Sequence, residues 1–146
     1  MRLWHVDLIS VLPRLQLLRQ WQDCYCIAEN IANKGTPDNM LVNKMLEYRP
    51  SEFLAYTTKV KLEMKNRGYK VSQGAWDNFM GNMGKGHKYF KQWHETTIFD
   101  DWMDKRYLTQ CYYNLQEQYD CGGITSEEWN KIVIEYDILT MRRTER

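Results

Sequence analysis

Few side chains in this sequence stand in arrangements that do chemistry. The histidines are His5, His87 and His94; none has a cysteine partner or an HExxH companion. There is no phosphate loop and no GxSxG. The cysteines are Cys24, Cys26, Cys111 and Cys121. Cys24 and Cys26 are two apart in a helical pattern, so they point about 200° apart around the helix and do not share an ion. The four read as buried, reduced thiols. His5, set in an apolar segment, reads as a satisfied structural histidine. Asp23 lies four residues after Arg19, the spacing of an exposed ion pair worth roughly a few tenths of a kcal/mol. That leaves the chain start. "MRLWHVDLI" carries Leu3, Trp4, Val6, Leu8 and Ile9, so this end is expected to be packed rather than frayed. A packed start gives the α-amine of Met1 a definite place.

The elements that must position these groups read as helices. Pro13 suits a first helical turn. Leu17, Leu18, Trp21, Cys24, Tyr25, Ala28, Ile31 and Ala32 then recur at helical spacing up to Gly35 and Pro37, which predicts a helix over 13–33. Gln16, Arg19, Gln20 and Asp23 fall on or near its polar side. A short helix is expected over 38–48. Another, capped by Ser51, is expected over 51–67 and ended by Gly68. Four glycines interrupt 70–104, where short helices and an ordered loop are expected among Trp76, Phe79, Tyr89, Phe90, Trp93, Phe99 and Trp102. A helix over 104–120 carries the stripe Leu108, Cys111, Tyr112, Leu115 and Tyr119, and Gly122-Gly123 ends it. Thr125 with Glu128 three later is a capping box for a last helix to about Met141. Met40, Met45, Met64, Met80, Met83 and Met103 read as core fillers. No hairpin signal, repeat or low-complexity segment is found. The expectation is an all-α single compact domain over 1–146, of about four to six helices.

The 146 residues suit one domain with a sizeable core. Hydrophobic residues at 43% exclude a disordered chain. No apolar run approaches the ~20 residues of a membrane span. The opening lacks the pattern of a signal peptide, so a cytoplasmic protein is expected. The net charge of +1 does not by itself suggest a nucleic-acid binder, but the charge is unevenly spread. Residues 59–70 hold Lys59, Lys61, Lys65, Arg67 and Lys70 against one acid, Glu63. Residues 85–94 hold Lys85, Lys88 and Lys91 with no acid, and 95–104 hold Glu95, Asp100, Asp101 and Asp104 with no base. The stretch "KGHKYFKQWH" has two readings, a surface that stacks bases and holds phosphates or a packed loop with snorkelling lysines.

"MRLWHVDLI", "LLRQWQDC" and "KNRGYKVS" resemble the pyrimidine-dimer DNA glycosylase family. "LPRLQLL", "KGTPDNMLVNK" and "RYLTQCYYNLQEQYDCGGITSEEW" are similar to a branch of small bacterial and phage proteins placed in it, and that likeness covers nearly the whole chain. The resemblance implies a compact all-α fold with the N-terminal segment folded back on the first long helix. It implies a bifunctional glycosylase/AP lyase without metal or cofactor. The N-terminal α-amine attacks C1′ of a damaged nucleotide, a Schiff base forms, and β-elimination cuts the strand. A carboxylate on the first long helix assists. The partner implied is double-stranded DNA with a damaged or abasic site, met by a monomer with no membrane.

Carried over by position, Met1 takes the nucleophile's place, since Arg2 is too bulky for ordinary methionine removal. Asp23 takes the place of the family's catalytic glutamate, one methylene shorter. Arg2 takes the DNA-contacting basic position beside the amine. Gln22 stands where the family has a DNA-contacting arginine, and Gln16 where its type enzyme has a histidine. Arg14 and Arg19, with Lys85, Lys88 and Lys91, are the further candidate DNA contacts. An α-amine has a reference pKa near 7.7–8.0, so a usable fraction is nucleophilic at neutral pH. The departures at Asp23 and Gln22 keep a second reading open: a family member with altered or lost chemistry that binds DNA or protein.

Overall fold

The computed structural model describes residues 2–34, 39–90 and 98–144. Six α-helices run in chain order: α1 (Arg14–Lys34), α2 (Met40–Met45), α3 (Pro50–Asn66), α4 (Gln73–Gly86), α5 (Lys105–Asp120) and α6 (Ser126–Thr144). Two 3₁₀ turns, Val6–Val11 and His87–Tyr89, precede α1 and follow α4. Among the described residues there is no strand, so the all-α expectation holds. No described helix is long and apolar enough to cross a membrane.

The apolar stripes meet in one cluster. Leu17, Ile27 and Ile31 of α1, Phe53 and Val60 of α3, Phe79 of α4, Leu108 and Leu115 of α5 and Ile132 of α6 are all buried. The packed start is part of it, with Leu3 and Leu8 fully buried. The chain ends of the helices are those the residue types favour. Asp104 accepts the Tyr107 N–H at 2.9 Å and caps α5. Thr125 and Glu128 form the capping box of α6, with Glu128 N–H donating to Thr125 Oγ1 at 3.2 Å and Thr125 N–H to Glu128 Oε1 at 3.1 Å. Gly68 and Gly122 follow α3 and α5 at φ of 83° and 84°, where glycine alone is unstrained.

Several boundaries differ from the sequence reading. The glycine-interrupted stretch forms α4, a 14-residue helix. Ser72 caps it by accepting the Ala75 N–H at 3.1 Å. Trp76, Phe79, Met83 and Gly86 then recur at helical spacing, and burial of this stripe offsets the roughly 1 kcal/mol that each interior glycine costs. Gly86 permits the closest approach, because a Cβ there would lie 2.6 Å from Ile31 Cγ2 on α1. The cap of α3 is not Ser51. Pro50 opens that helix and the buried Glu52 accepts the Arg49 N–H at 3.1 Å. The short helix expected over 38–48 is α2, begun by Asn39, whose Oδ1 accepts from Leu41 and Val42 N–H. Of the methionines, Met40 and Met80 are exposed rather than core. Trp93 and His94, at the end of "KGHKYFKQWH", lie outside the described residues.

Candidate active site

The N-terminal segment lies against α1, α3 and α5, and its backbone is held at four points. Gln20 of α1 is buried, with its amide turned to the segment. Its Oε1 accepts the Trp4 N–H at 2.7 Å and its Nε2 donates to the Arg2 carbonyl at 2.8 Å. The Tyr56 hydroxyl of α3 sits between the Trp4 carbonyl (2.5 Å) and Gln20 Oε1 (2.9 Å). The Tyr107 hydroxyl of α5 donates to the Leu3 carbonyl. Burial, above all, pushes both tyrosines up, so the phenols stay protonated donors. His5 is buried, with Nε2 against the Met103 carbonyl at 2.9 Å and Nδ1 accepting the Asp7 N–H at 3.1 Å. It is structural, as its apolar setting indicates.

Gln16 and Gln20 are therefore not on the polar side of α1. Each is buried because its amide has a partner across the interface; Gln16 Nε2 donates to Gln118 Oε1 of α5 at 2.6 Å. Asp23 is half-buried, one turn beyond Gln20 on the same flank. Its charge reaches the interior, where it adds to the upward push on Cys24 and Tyr56 behind the larger effect of burial. No ion pair joins Arg19 to Asp23 among the described residues. Arg19 and Gln22 are exposed on the outer face of α1. Arg2 is half-buried, its guanidinium 5.6 Å from the Trp4 ring, and its charge offsets part of the upward push of burial on Tyr107 and Cys111. Met1 and Lys91 lie outside the described residues.

The basic runs divide. Lys61, Lys65 and Lys70 line a groove of about 630 Å³ with Tyr69, and among the described residues no acid lines it. Arg14 lies 5.7 Å over the Tyr69 ring and Lys61 4.0 Å over Trp76, so cations stand on aromatic faces here. Arg67 has a different job that its surface-like sequence hid. It donates to the Leu12 carbonyl (2.7 Å), the Ser10 carbonyl (3.1 Å) and Glu63 (3.2 Å), fixing the turn that leads into α1. Lys85 lines a polar cavity with Tyr25 and Glu29. Tyr25 is about 160° around α1 from Asp23, so Lys85 sits on the other flank from the clamped segment. Lys88 is exposed beside the Tyr89 ring at 5.3 Å.

Cys24 and Cys111 are buried, but Cys26 and Cys121 are exposed, against the expectation that all four are buried. Among the described residues no group of three or more His, Cys, Asp or Glu is placed to hold a metal ion. A family model described as pyrimidine dimer DNA glycosylase matches residues 1–77, more than half of the chain. No curated protein and no solved structure matches it. The matched stretch holds Gln20, Asp23, Tyr56 and the basic groove, while α5 and α6 lie beyond it.

Proposed function

The chain belongs to the pyrimidine dimer DNA glycosylase family, and on that premise we propose that it is a glycosylase/AP lyase working through the α-amine of Met1 with Asp23 as the assisting carboxylate. The observation that carries this reading is the Gln20 clamp. It holds the Arg2 carbonyl and the Trp4 N–H one helical turn before Asp23. An amine on the residue before Arg2 is tethered to that anchor by a single residue, which restricts its search and favours an attack geometry.

In the proposed reaction the amine lone pair forms a bond to C1′ while the base departs with the glycosidic electron pair and takes a proton. Opening of the sugar ring gives the Schiff base. Loss of a C2′ proton then expels the 3′ phosphate and cuts the strand, and water releases the amine. Asp23 stabilises the cationic sugar and carries protons. Its half-buried position at the edge of the clamp supports that role. The groove of Lys61, Lys65 and Lys70, with Arg14 at Tyr69, supplies a surface for backbone phosphates of the duplex. Arg19 and Gln22, exposed on α1, are the further DNA contacts of this reading.

Borohydride trapping on DNA carrying an abasic site tests the reading. The aldehyde of an abasic sugar needs no prior excision, so trapping reports the amine alone. A covalent adduct that maps to Met1, and that disappears when one residue is added before it, is expected. No adduct, or one that maps to a lysine such as Lys85, would leave a DNA- or protein-binding module as the better account.

A further inference from the structure

A second cavity, of about 600 Å³, opens between the start of α3 and the end of α4. Its floor is Leu54, Met80 and Met83. One wall is Gly84, where an added Cβ would meet nothing within 4 Å, so the space beside it is open. Arg49 and His87 stand with this apolar floor, and among the described residues no carboxylate lines the cavity.

Arg49 is the unusual member. Its Nε is shut off from solvent and has no hydrogen-bond partner. The carboxylate next along the chain, Glu52, is 2% exposed and gives its oxygens to the N–H groups of Arg49 (3.1 Å) and Phe99 (3.1 Å). No ion pair joins it to the guanidinium. A guanidinium is always charged, and a shielded donor without an acceptor is costly. Beside it, Met80 keeps 39% of its surface exposed. Thioether side chains adapt well to flat rings. The volume lies within the range of small-molecule sites and far exceeds an inorganic anion. The cavity thus offers a permanent cation, Arg49, with no carboxylate paired to it among the described residues, and an apolar, adaptable floor.

We propose that this cavity binds a small organic anion with a flat body, its phosphate or carboxylate on Arg49 and its ring on Met80, Met83 and Leu54. A nucleoside 5′-monophosphate has this chemistry, either free or as the phosphorylated end of a DNA strand. The site goes beyond the Met1–Asp23 reaction and uses none of its residues.

Calorimetric titration of the full chain with thymidine 5′-monophosphate tests it, alongside thymidine and inorganic phosphate. Saturable binding of the nucleotide is expected, with thymidine and phosphate each at least tenfold weaker. Arg49→Gln is expected to weaken the nucleotide at least tenfold. Gly84→Leu, which adds a helix-favouring residue into open space, is expected to abolish binding while the melting temperature holds. A 5′-phosphorylated oligonucleotide that outcompetes its 5′-hydroxyl twin assigns the source to a strand end; a mononucleotide bound with neither oligonucleotide competing assigns it to the free form. Borohydride trapping on abasic DNA stays unchanged in both variants, which separates this site from the proposed lyase chemistry. The proposal is overturned if the nucleotide does not saturate, if phosphate alone binds as well, or if Gly84→Leu binds like the wild type.

Discussion

Gln20 and Trp4, sixteen residues apart in sequence, are joined by a 2.7 Å hydrogen bond from the Trp4 N–H to Gln20 Oε1. The same amide donates back to the Arg2 carbonyl at 2.8 Å. One side chain thus reads a backbone donor and a backbone acceptor of the N-terminal segment, as a neighbouring strand would. Gln20→Leu keeps the volume and removes both bonds along with the one from the Tyr56 hydroxyl, leaving a buried N–H and a part-buried carbonyl unpaired. A loss of about 1–3 kcal/mol in urea unfolding is expected. Under the proposed mechanism, trapping on abasic DNA falls at least tenfold; unchanged trapping would show that the clamp does not serve the amine.

The basic groove makes a prediction about salt. Replacing Lys61, Lys65 and Lys70 together by glutamine should lower the slope of log binding constant against log salt by about 2–3, since each neutralised phosphate contributes about 0.9. Measurement on intact duplex over a salt series checks this. A slope equal to that of the wild type would place the phosphates elsewhere.

Gly86 and Gly81 should respond to alanine in opposite directions. At Gly86 the new methyl would lie 2.6 Å from Ile31 Cγ2, and Ile31 is 1% exposed with no room to retreat. A loss of about 1–3 kcal/mol is expected. At Gly81 a Cβ meets nothing within 4 Å, so alanine should gain about 0.4–1 kcal/mol through the unfolded chain. Thermal melts of the two variants decide it.

Glu128 links two helix starts, capping α6 and accepting the Arg14 N–H of α1 at 2.8 Å. Burial raises its pKa, but the hydrogen bonds from Arg14 and Thr125 and the nearby Arg67 outweigh that and hold it below the usual 4.5. With the folded value below the unfolded one, the stabilisation is fully present above the unfolded value and lost as pH falls through the folded one. Glu128→Gln should therefore melt lower than the wild type at neutral pH, by about 1 kcal/mol. The gap should close in acid. A gap that does not depend on pH would assign the effect to shape rather than charge.

Thiol labelling should separate the cysteines. Cys26 and Cys121 are exposed and should react in the native protein. Burial pushes the Cys24 thiol up to about 12, with Asp23 adding to it against a bond from Thr57, and burial also raises Cys111. Both should react only after denaturation. Rapid native labelling of all four would contradict this packing.

The helices were largely legible in the residue order. α1, α3, α5 and α6 fall within one to three residues of where periodicity and turn residues put them, because a stripe at 3.6-residue spacing and a glycine at positive φ are local properties. α4 was hidden because its glycines lower local propensity, while the term that outweighs them is contact with Ile31, which no local pattern records. The buried roles of Gln16, Gln20, Glu52 and Arg67 were hidden for a related reason. Each is polar and looks like surface until its partners, which are 16 to 102 residues away for Gln20, Glu52, Arg67 and Gln16, are brought beside it.

By itself the sequence determined that the chain is helical, that its start is packed, and through residues 1–77 which family it belongs to. Those follow from side-chain type and short-range spacing. The tertiary structure alone decided that Gln20, Tyr56 and Tyr107 converge on the backbone of residues 2–4, and that Lys61, Lys65 and Lys70 share one groove while Lys85 lines a separate cavity. The physical reason is that a buried backbone N–H or carbonyl takes whichever donor or acceptor the packed helices bring within about 3 Å, and that choice is made across α1, α3 and α5 rather than along any one of them.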